Sequence, residues 1–320
     1  EDKQGIIFFI STENYIKYLE FLLASLRINA SNWIYLSIQI GDFKTSYDKS
    51  SNLIKYYINF PEQFDTKKKK KAFSANLRIP IINQLVKNIN TNKLIYTDID
   101  NLFMNEINDL FKYYPTKKII LKKIKKNFID QILKTKDLMF YKSGVIILYT
   151  NNYKYLRDDI IIKKFSERYL SYSKNNMHNW FTDQVGLSKI YQNSDIFNRY
   201  TFFSDKICDW ELYPLSYIWA AKGYIKETLI WKNISLFLAY IDCKISEISI
   251  IRIKKRIRIA QIIIFFFKLL IFPIVFLRIK CINFIFRILR FFYKKLLLLI
   301  GEVTGIFLSK KIKSKEEDKL

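Results

Sequence analysis

Short apolar runs alternate with segments of helical period along the first half of the chain, and that alternation restricts the fold more than any other feature. Residues 6–10 (IIFFI) read as a buried strand and 15–28 (YIKYLEFLLASLRI) as an amphipathic helix. Residues 33–40 (WIYLSIQI) and 53–60 (LIKYYINF) read as further strands. A helix over 73–88 follows the basic run Lys67 to Lys71, and KLIYTDIDNLF supplies a strand at 93–97 that ends in carboxylates. Strands at 118–122 and 144–149 and helices near 153–170 and 181–192 continue the pattern. The last helix opens on Thr182 and Asp183, residue types suited to a helix amino terminus. Such alternation predicts an α/β fold with a mostly parallel sheet.

Half of the 320 residues are hydrophobic and 17% are aromatic, which supplies a core and excludes disorder of the whole chain. Cys208, Cys243 and Cys281 are too widely spaced for a zinc site or a disulfide framework, and a reducing compartment fits them. The net charge of +25 calls for an anionic partner or surface. Between residues 250 and 313 there are 15 Lys or Arg and one acid, Glu302, within the most apolar part of the chain. A nucleic-acid-binding arm is basic and polar; a basic and apolar segment suits anionic lipid, so no nucleic-acid partner is expected. Residues 1–249 are therefore read as a catalytic domain, 250–313 as a helical membrane-associating region and 314–320 as a disordered terminus. Within the tail, residues 259–277 are borderline in length for a span and carry Lys268 at their centre, which favours amphipathic helices lying in the headgroup region over a true span. A buried helical subdomain is the remaining possibility.

Asp98 and Asp100 follow the apolar run Leu94-Ile95-Tyr96 and precede Leu102 and Phe103. In open α/β sheets ligands bind beyond the carboxyl ends of the strands. Two residues apart in extended backbone, both carboxylates project to one side, where their repulsion calls for a cation. A hard divalent ion, Mn2+ or Mg2+, supplies it and leaves positions open for diphosphate oxygens. The plain alternative is a pair of solvated residues at a strand end.

At this point the chain resembles glycosyltransferase family 8, retaining enzymes that include bacterial lipopolysaccharide and lipooligosaccharide galactosyl- and glucosyltransferases. The resemblance covers about residues 5–230. Thr12-Glu13-Asn14-Tyr15 looks like the family's first nucleotide-contacting loop, which implies base contacts for Asn14 and Tyr15. AFSANLRIPII resembles the helix that brings an arginine, here Arg78, to the donor, and IYTDIDNLF is similar to the metal motif, with Asp98 and Asp100 as ligands. FYKSGVIIL looks like the strand beneath the sugar, with Lys142 where the family has asparagine. FTDQVGL resembles the helix in which Asp183 binds donor-sugar hydroxyls and Gln184 lies near the anomeric carbon. AAKGYIK aligns with an HxxGxxK signature, placing Gly223 and Lys226 at the diphosphate and Ala220 where the family has its third metal ligand, a histidine. His178, the only histidine, reads either as a surface residue or as a replacement ligand. Lys67 to Lys71 reads as a solvated loop or as an attractor for an anionic acceptor or lipid.

The resemblance implies a GT-A fold, a Rossmann-like mixed sheet flanked by helices, carrying the amphipathic tail. It implies metal-dependent transfer of a hexose, from UDP-galactose or UDP-glucose, to a glycan or glycolipid acceptor at the cytoplasmic face of the inner (plasma) membrane. Two other classes stay open. A nucleotidyltransferase would need a glycine-rich first loop, which the STENY stretch lacks. A catalytically impaired membrane-binding relative would account for Ala220.

Overall fold

A computed structural model describes residues 5–41, 43, 52–123, 141–203, 207–209, 216–220, 226, 231–232, 234–236, 238–239 and 242. These residues all fall in one compact unit formed by Glu1–Lys126 and Lys136–Leu270; a second unit, Asn127–Thr135 with Ile271–Leu320, lies outside the described residues. The expected membrane-associating region at 250–313, with the stretch 259–277 inside it, and the expected disordered terminus at 314–320 lie outside them too. Among the described residues no helix is long and apolar enough to cross a membrane.

The chain opens with β1 (Ile6–Thr12), whose side chains are buried on both faces up to Ser11. Ile7 and Phe9 enter one core layer with α1 (Leu19–Asn29), while Phe8 and Ile10 enter the other with α3 (Arg78–Asn88). A strand covered on both faces reads as one continuous apolar run, which is why IIFFI shows no polar alternation. Parallel to β1 lies β2 (Ile34–Ile40), and beyond it β3 (Leu53–Ile58). On the other side of β1 the parallel β4 (Lys93–Thr97) pairs in turn with β7 (Tyr141–Tyr149), which runs antiparallel. β6 (Ile119–Lys123) and β8 (Thr201–Phe203) complete a seven-stranded mixed sheet, order β3-β2-β1-β4-β7-β6-β8. A small second sheet joins β5 (Asn101–Phe103), β10 (Ile218–Ala220) and β9 (Cys208–Asp209).

The sheet is mostly parallel, as the alternation predicted, and mixed, as the resemblance implied: β7 alone runs against its neighbours β4 and β6. Three sequence expectations are corrected. The basic run is helical: α2 (Lys67–Asn76) starts on it, with the Thr66 hydroxyl accepting from the Lys69 amide. The helix expected over 73–88 is broken at Leu77, because Pro80 has no amide to give the Asn76 carbonyl and its ring crowds that turn. The helix placed near 153 begins later, as α5 (Ile160–Ser173), where Asp159 caps it through the Ile161 and Ile162 amides. It packs on α6 (Thr182–Gln192) at Gly186, where a Cβ would lie 2.5 Å from Ser173 Oγ. Two short helices, α4 (Ile107–Tyr113) and α7 (Asp195–Tyr200), fill the remaining connections.

Candidate active site

Chain order reverses direction across the sheet between β1 and β4: from β1 the chain builds outward through β2 and β3, then returns to pair β4 on the opposite side. Such a switch point opens a crevice at the carboxyl ends of the two strands. Thr12, at the end of β1, leads into a 3-10 turn, Glu13–Tyr18, with Asn14 and Tyr15 exposed. Asp98 and Asp100 follow β4 directly. They do not lie in extended backbone, as the sequence suggested. They occupy a turn, closed by the Asn101 amide donating to the Asp98 carbonyl at 3.2 Å, with Ile99 buried between them. The Asp98 amide and the Asn101 side chain both donate to the Gly144 carbonyl of β7, at 2.9 and 3.1 Å. The turn is thus fastened to the neighbouring strand rather than left at a frayed end.

Two charged groups meet there. In the first, buried Arg78 at the start of α3 places Nη1 3.4 Å from Asp98 Oδ1 and 3.5 Å from Asp183 Oδ2. Its Nε donates to the Ala75 carbonyl at 2.5 Å, and the guanidinium lies 4.5 Å from the Tyr96 ring centroid. The Tyr96 hydroxyl donates to Asp98 Oδ1 at 2.7 Å. Burial, outweighing the opposing pull of Arg78, pushes the Tyr96 hydroxyl well above the usual tyrosine range, so it stays a donor. Burial pulls the Arg78 pKa down, but Tyr96, Asp98 and Asp183 together raise it, and the guanidinium remains charged.

Asp183 is held from behind. Two residues earlier, Phe181 has left-handed backbone (φ 70°), a conformation that a non-glycine residue adopts only when its surroundings enforce it. Here the Thr182 hydroxyl donates to the Asn176 and Asn179 carbonyls at 2.6 and 3.0 Å. The Asn76 amide group donates to the Met177 and Asn179 carbonyls, both at 2.8 Å, and its oxygen accepts from the Asp183 amide. Asp183 Oδ1 accepts from the Gln184 amide at 2.9 Å, and the Gln184 side chain is half-buried. Neither Thr182 nor Asp183 caps the helix in the usual way; the Phe181 carbonyl accepts from the Gln184 and Val185 amides.

In the second group, the Lys226 ammonium forms an ion pair with Asp100 Oδ2 and stands 4.9 Å from the Tyr15 ring centroid and 4.8 Å from that of Tyr18. β10 pairs with β5 so that Ala220 lies directly across from Asn101. The position expected to supply a third ligand is thus beside the aspartate turn, and it presents only a methyl group. His178 is exposed and lines a depression of about 410 Å³ with Phe64, Lys69, Phe73 and Lys174, apart from this turn. Lys142 lies in β7 opposite Lys122. Gly223 falls outside the described residues.

The donor set suits a hard divalent ion in a limited way. Lys226 demonstrates that a cation is accommodated against Asp100. Ions such as Mg2+ take one or two carboxylates and fill the rest of their shell with water and phosphate oxygens. Among the described residues no group of three or more His, Cys, Asp or Glu side chains could hold a metal. Asp98 and Asp100 would be its protein ligands. Sequence reasoning missed Tyr96, Asn76 and Tyr18. A tyrosine two residues before an aspartate at a strand end, and an asparagine on the buried face of α2, were the available signals.

No protein-family model matches the chain, and no curated protein matches it. Similar solved structures include the glycosyltransferase GlyE of Streptococcus pneumoniae TIGR4, 12% identical with a TM-score of 0.45, covering 74% of this chain and 61% of that one. The galactosyltransferase LgtC in complex with donor and acceptor sugar analogues is 14% identical with a TM-score of 0.49, covering 73% and 95%. The bifunctional glycosyltransferase WbbM in its apo form is 12% identical with a TM-score of 0.42, covering 70% and 46%. The chain spans 61% of the GlyE chain.

Proposed function

We propose that the chain is a glycosyltransferase that moves a hexose from a nucleotide sugar, UDP-galactose or UDP-glucose, to a glycolipid or lipopolysaccharide-type acceptor at a membrane surface. One observation carries the reading. Asp98, Asp100, Asp183, Arg78, Lys226 and Tyr15 converge at the carboxyl ends of β1 and β4, the switch point of the sheet. Chain segments more than 200 residues apart thus meet at one crevice, as the six ordered motifs require.

Each group has a task in that reaction. Tyr15 offers a ring face to the base. Arg78 orients Asp98 and Asp183 against each other, and Asp183, fixed by Asn76, accepts hydrogen bonds from hydroxyls of the donor sugar. Mn2+ or Mg2+, when held by Asp98 and Asp100, supplies positive charge to the departing diphosphate. Lys226 adds a point charge on the same side. Gln184 is neutral and a poor nucleophile, so a front-face route, with the leaving phosphate oxygen taking the acceptor's proton, fits this residue set better than double displacement. The basic, apolar stretch 250–313 would hold the enzyme at anionic lipid on the cytoplasmic side.

The test is calorimetric titration of UDP-galactose, UDP-glucose and GDP-mannose with and without Mn2+. One of the UDP-sugars is expected to bind with Mn2+ present, and Asp100→Ala is expected to abolish that binding while leaving thermal unfolding unchanged. Unaltered donor affinity in Asp100→Ala would remove the assigned role.

A further inference from the structure

Arg78 and Lys226 both meet aspartates of the site, and the two cations are held very differently. Arg78 is buried, bridges two carboxylates, stacks on Tyr96 and is anchored to the Ala75 carbonyl. Lys226 reaches Asp100 along a flexible stem, and its ammonium lies over the Tyr15 and Tyr18 rings. An ammonium is a compact point charge with no fixed fork, so it exchanges against another cation without any rearrangement of backbone. It also covers two surfaces that ligands would need: an Asp100 oxygen, which a divalent ion would take, and a face of Tyr15, which a base would take.

We infer that Lys226 is a resident counter-ion which occupies the Asp100 position in the ligand-free protein and is displaced when a divalent ion and a nucleotide bind. The inference rests on the glycosyltransferase reading for the identity of the nucleotide, but the exchange at Asp100 is testable with the metal alone. With two carboxylate donors among the described residues, a methyl group at Ala220 and an ammonium already on Asp100, a divalent ion alone has little to gain there. A nucleotide that draws Lys226 away from Tyr15 frees the carboxylate at the same time. Metal and nucleotide then each favour the released state, and by linkage each raises the other's affinity by the same factor. Lys226 thereby keeps the site from filling with metal before donor arrives.

The experiment is titration of the full chain with Mn2+, followed by electron paramagnetic resonance of the free ion, for the natural protein, Lys226→Ala and Lys226→Arg, with thermal unfolding as the control for folding. Removing the competing charge should tighten Mn2+ binding in the absence of nucleotide by about tenfold, the factor expected if the lysine holds the carboxylate about nine-tenths of the time. Lys226→Arg keeps a cation on Asp100 and should bind Mn2+ as weakly as the natural protein. In the presence of UDP the order inverts: Lys226→Ala should bind Mn2+ and UDP together less tightly than the natural protein. Unchanged or weaker Mn2+ binding in Lys226→Ala, or strong binding by the natural protein without nucleotide, would overturn the exchange. Failure of UDP to bind under any condition would instead remove the glycosyltransferase reading, while the Mn2+ titrations would still decide whether Lys226 competes at Asp100.

Discussion

Buried ion pairs stand at both edges of the central sheet, and they are built to opposite specifications. At the amino edge, Lys118 precedes β6 and donates to Asp159 Oδ2 at 2.6 Å, while the other carboxylate oxygen caps α5. One cation meets one anion, Asp159 is fully buried, and the Lys118 ammonium stands 5.5 and 5.3 Å from the Tyr153 and Tyr200 ring centroids. At the carboxyl edge, three aspartates share Arg78 and Lys226, at 3.4 and 3.5 Å in the Arg78 contacts. The first arrangement is charge-balanced with its carboxylate oxygens occupied, which serves folding. The second holds Asp98 and Asp183 to one shared guanidinium at longer distances, and Asp100 to a lysine on a flexible stem flanked by tyrosine rings. The difference teaches that burial alone does not distinguish the two edges; the way the cations are shared does.

The largest effect should come from breaking the balanced pair. Asp159→Ala strands a buried lysine and removes the cap of α5, so we expect a loss of about 3–5 kcal/mol in urea unfolding. Donor affinity of the folded fraction should be unchanged. A loss under about 1 kcal/mol would mean that Lys118 simply swings to solvent, and the contrast between the two edges would weaken.

Arg78→Leu comes next. It leaves Asp98 and Asp183 facing one another without their shared cation, and about 3 kcal/mol of stability should be lost. Adding Asp183→Asn should return part of that loss, because the repulsion is removed with the charge. Additive losses in the double variant, measured by the same unfolding transitions, would show that Arg78 acts through packing on Tyr96 and not through charge.

A smaller structural effect, with a large functional one, is expected for Asp98→Asn. Relieving one of three carboxylates should change stability by less than about 1 kcal/mol, while transfer activity falls by roughly 10²–10³, the scale typical of removing one electrostatic contact to a transition state. Comparable losses in both measurements would return Asp98 to the structural class occupied by Asp159.

The two edges also differ in how far they could be read from the sequence. The strands were legible because each is a continuous apolar run, and all seven expected segments containing β1, β2, β3, β4, β6, β7 and α6 appear. The antiparallel β7 was not legible, because direction leaves no mark in a doubly buried strand such as GVIILY. The Asp98–Asp100 pair was found, but its turn was mistaken for extended backbone, since the buried Ile99 imitates strand alternation. The contacts of Arg78 with Asp98 and Asp183 depend on α3 and α6 being brought together over the sheet, and no local pattern encodes that. Lys226 illustrates the limit. Its partner lies 126 residues earlier, and only the register that sets Ala220 across from Asn101 brings that part of the chain to Asp100.

The smallest expected effect tests whether the two edges are mechanically joined. α5 is capped by Asp159 at the amino edge and packs on α6, which carries Asp183 to the carboxyl edge, and Gly186 is where they touch. In Gly186→Ala the new methyl would lie 2.5 Å from Ser173 Oγ and 3.2 Å from Tyr169 ring carbons. The hydroxyl has no hydrogen-bond partner, so it yields more cheaply than the ring. Better helix propensity offsets part of the overpacking, leaving a net loss of about 1 kcal/mol. Ser173→Ala in the same molecule vacates the contested space and should restore most of it. Donor affinity should stay within about twofold throughout, because Asp183 is positioned by Asn76 and the turn at Phe181 and not by how closely the two helices approach. A fall in donor affinity that tracks the loss of stability, and recovers with Ser173→Ala, would show instead that the site inherits its geometry from the helix pair behind it.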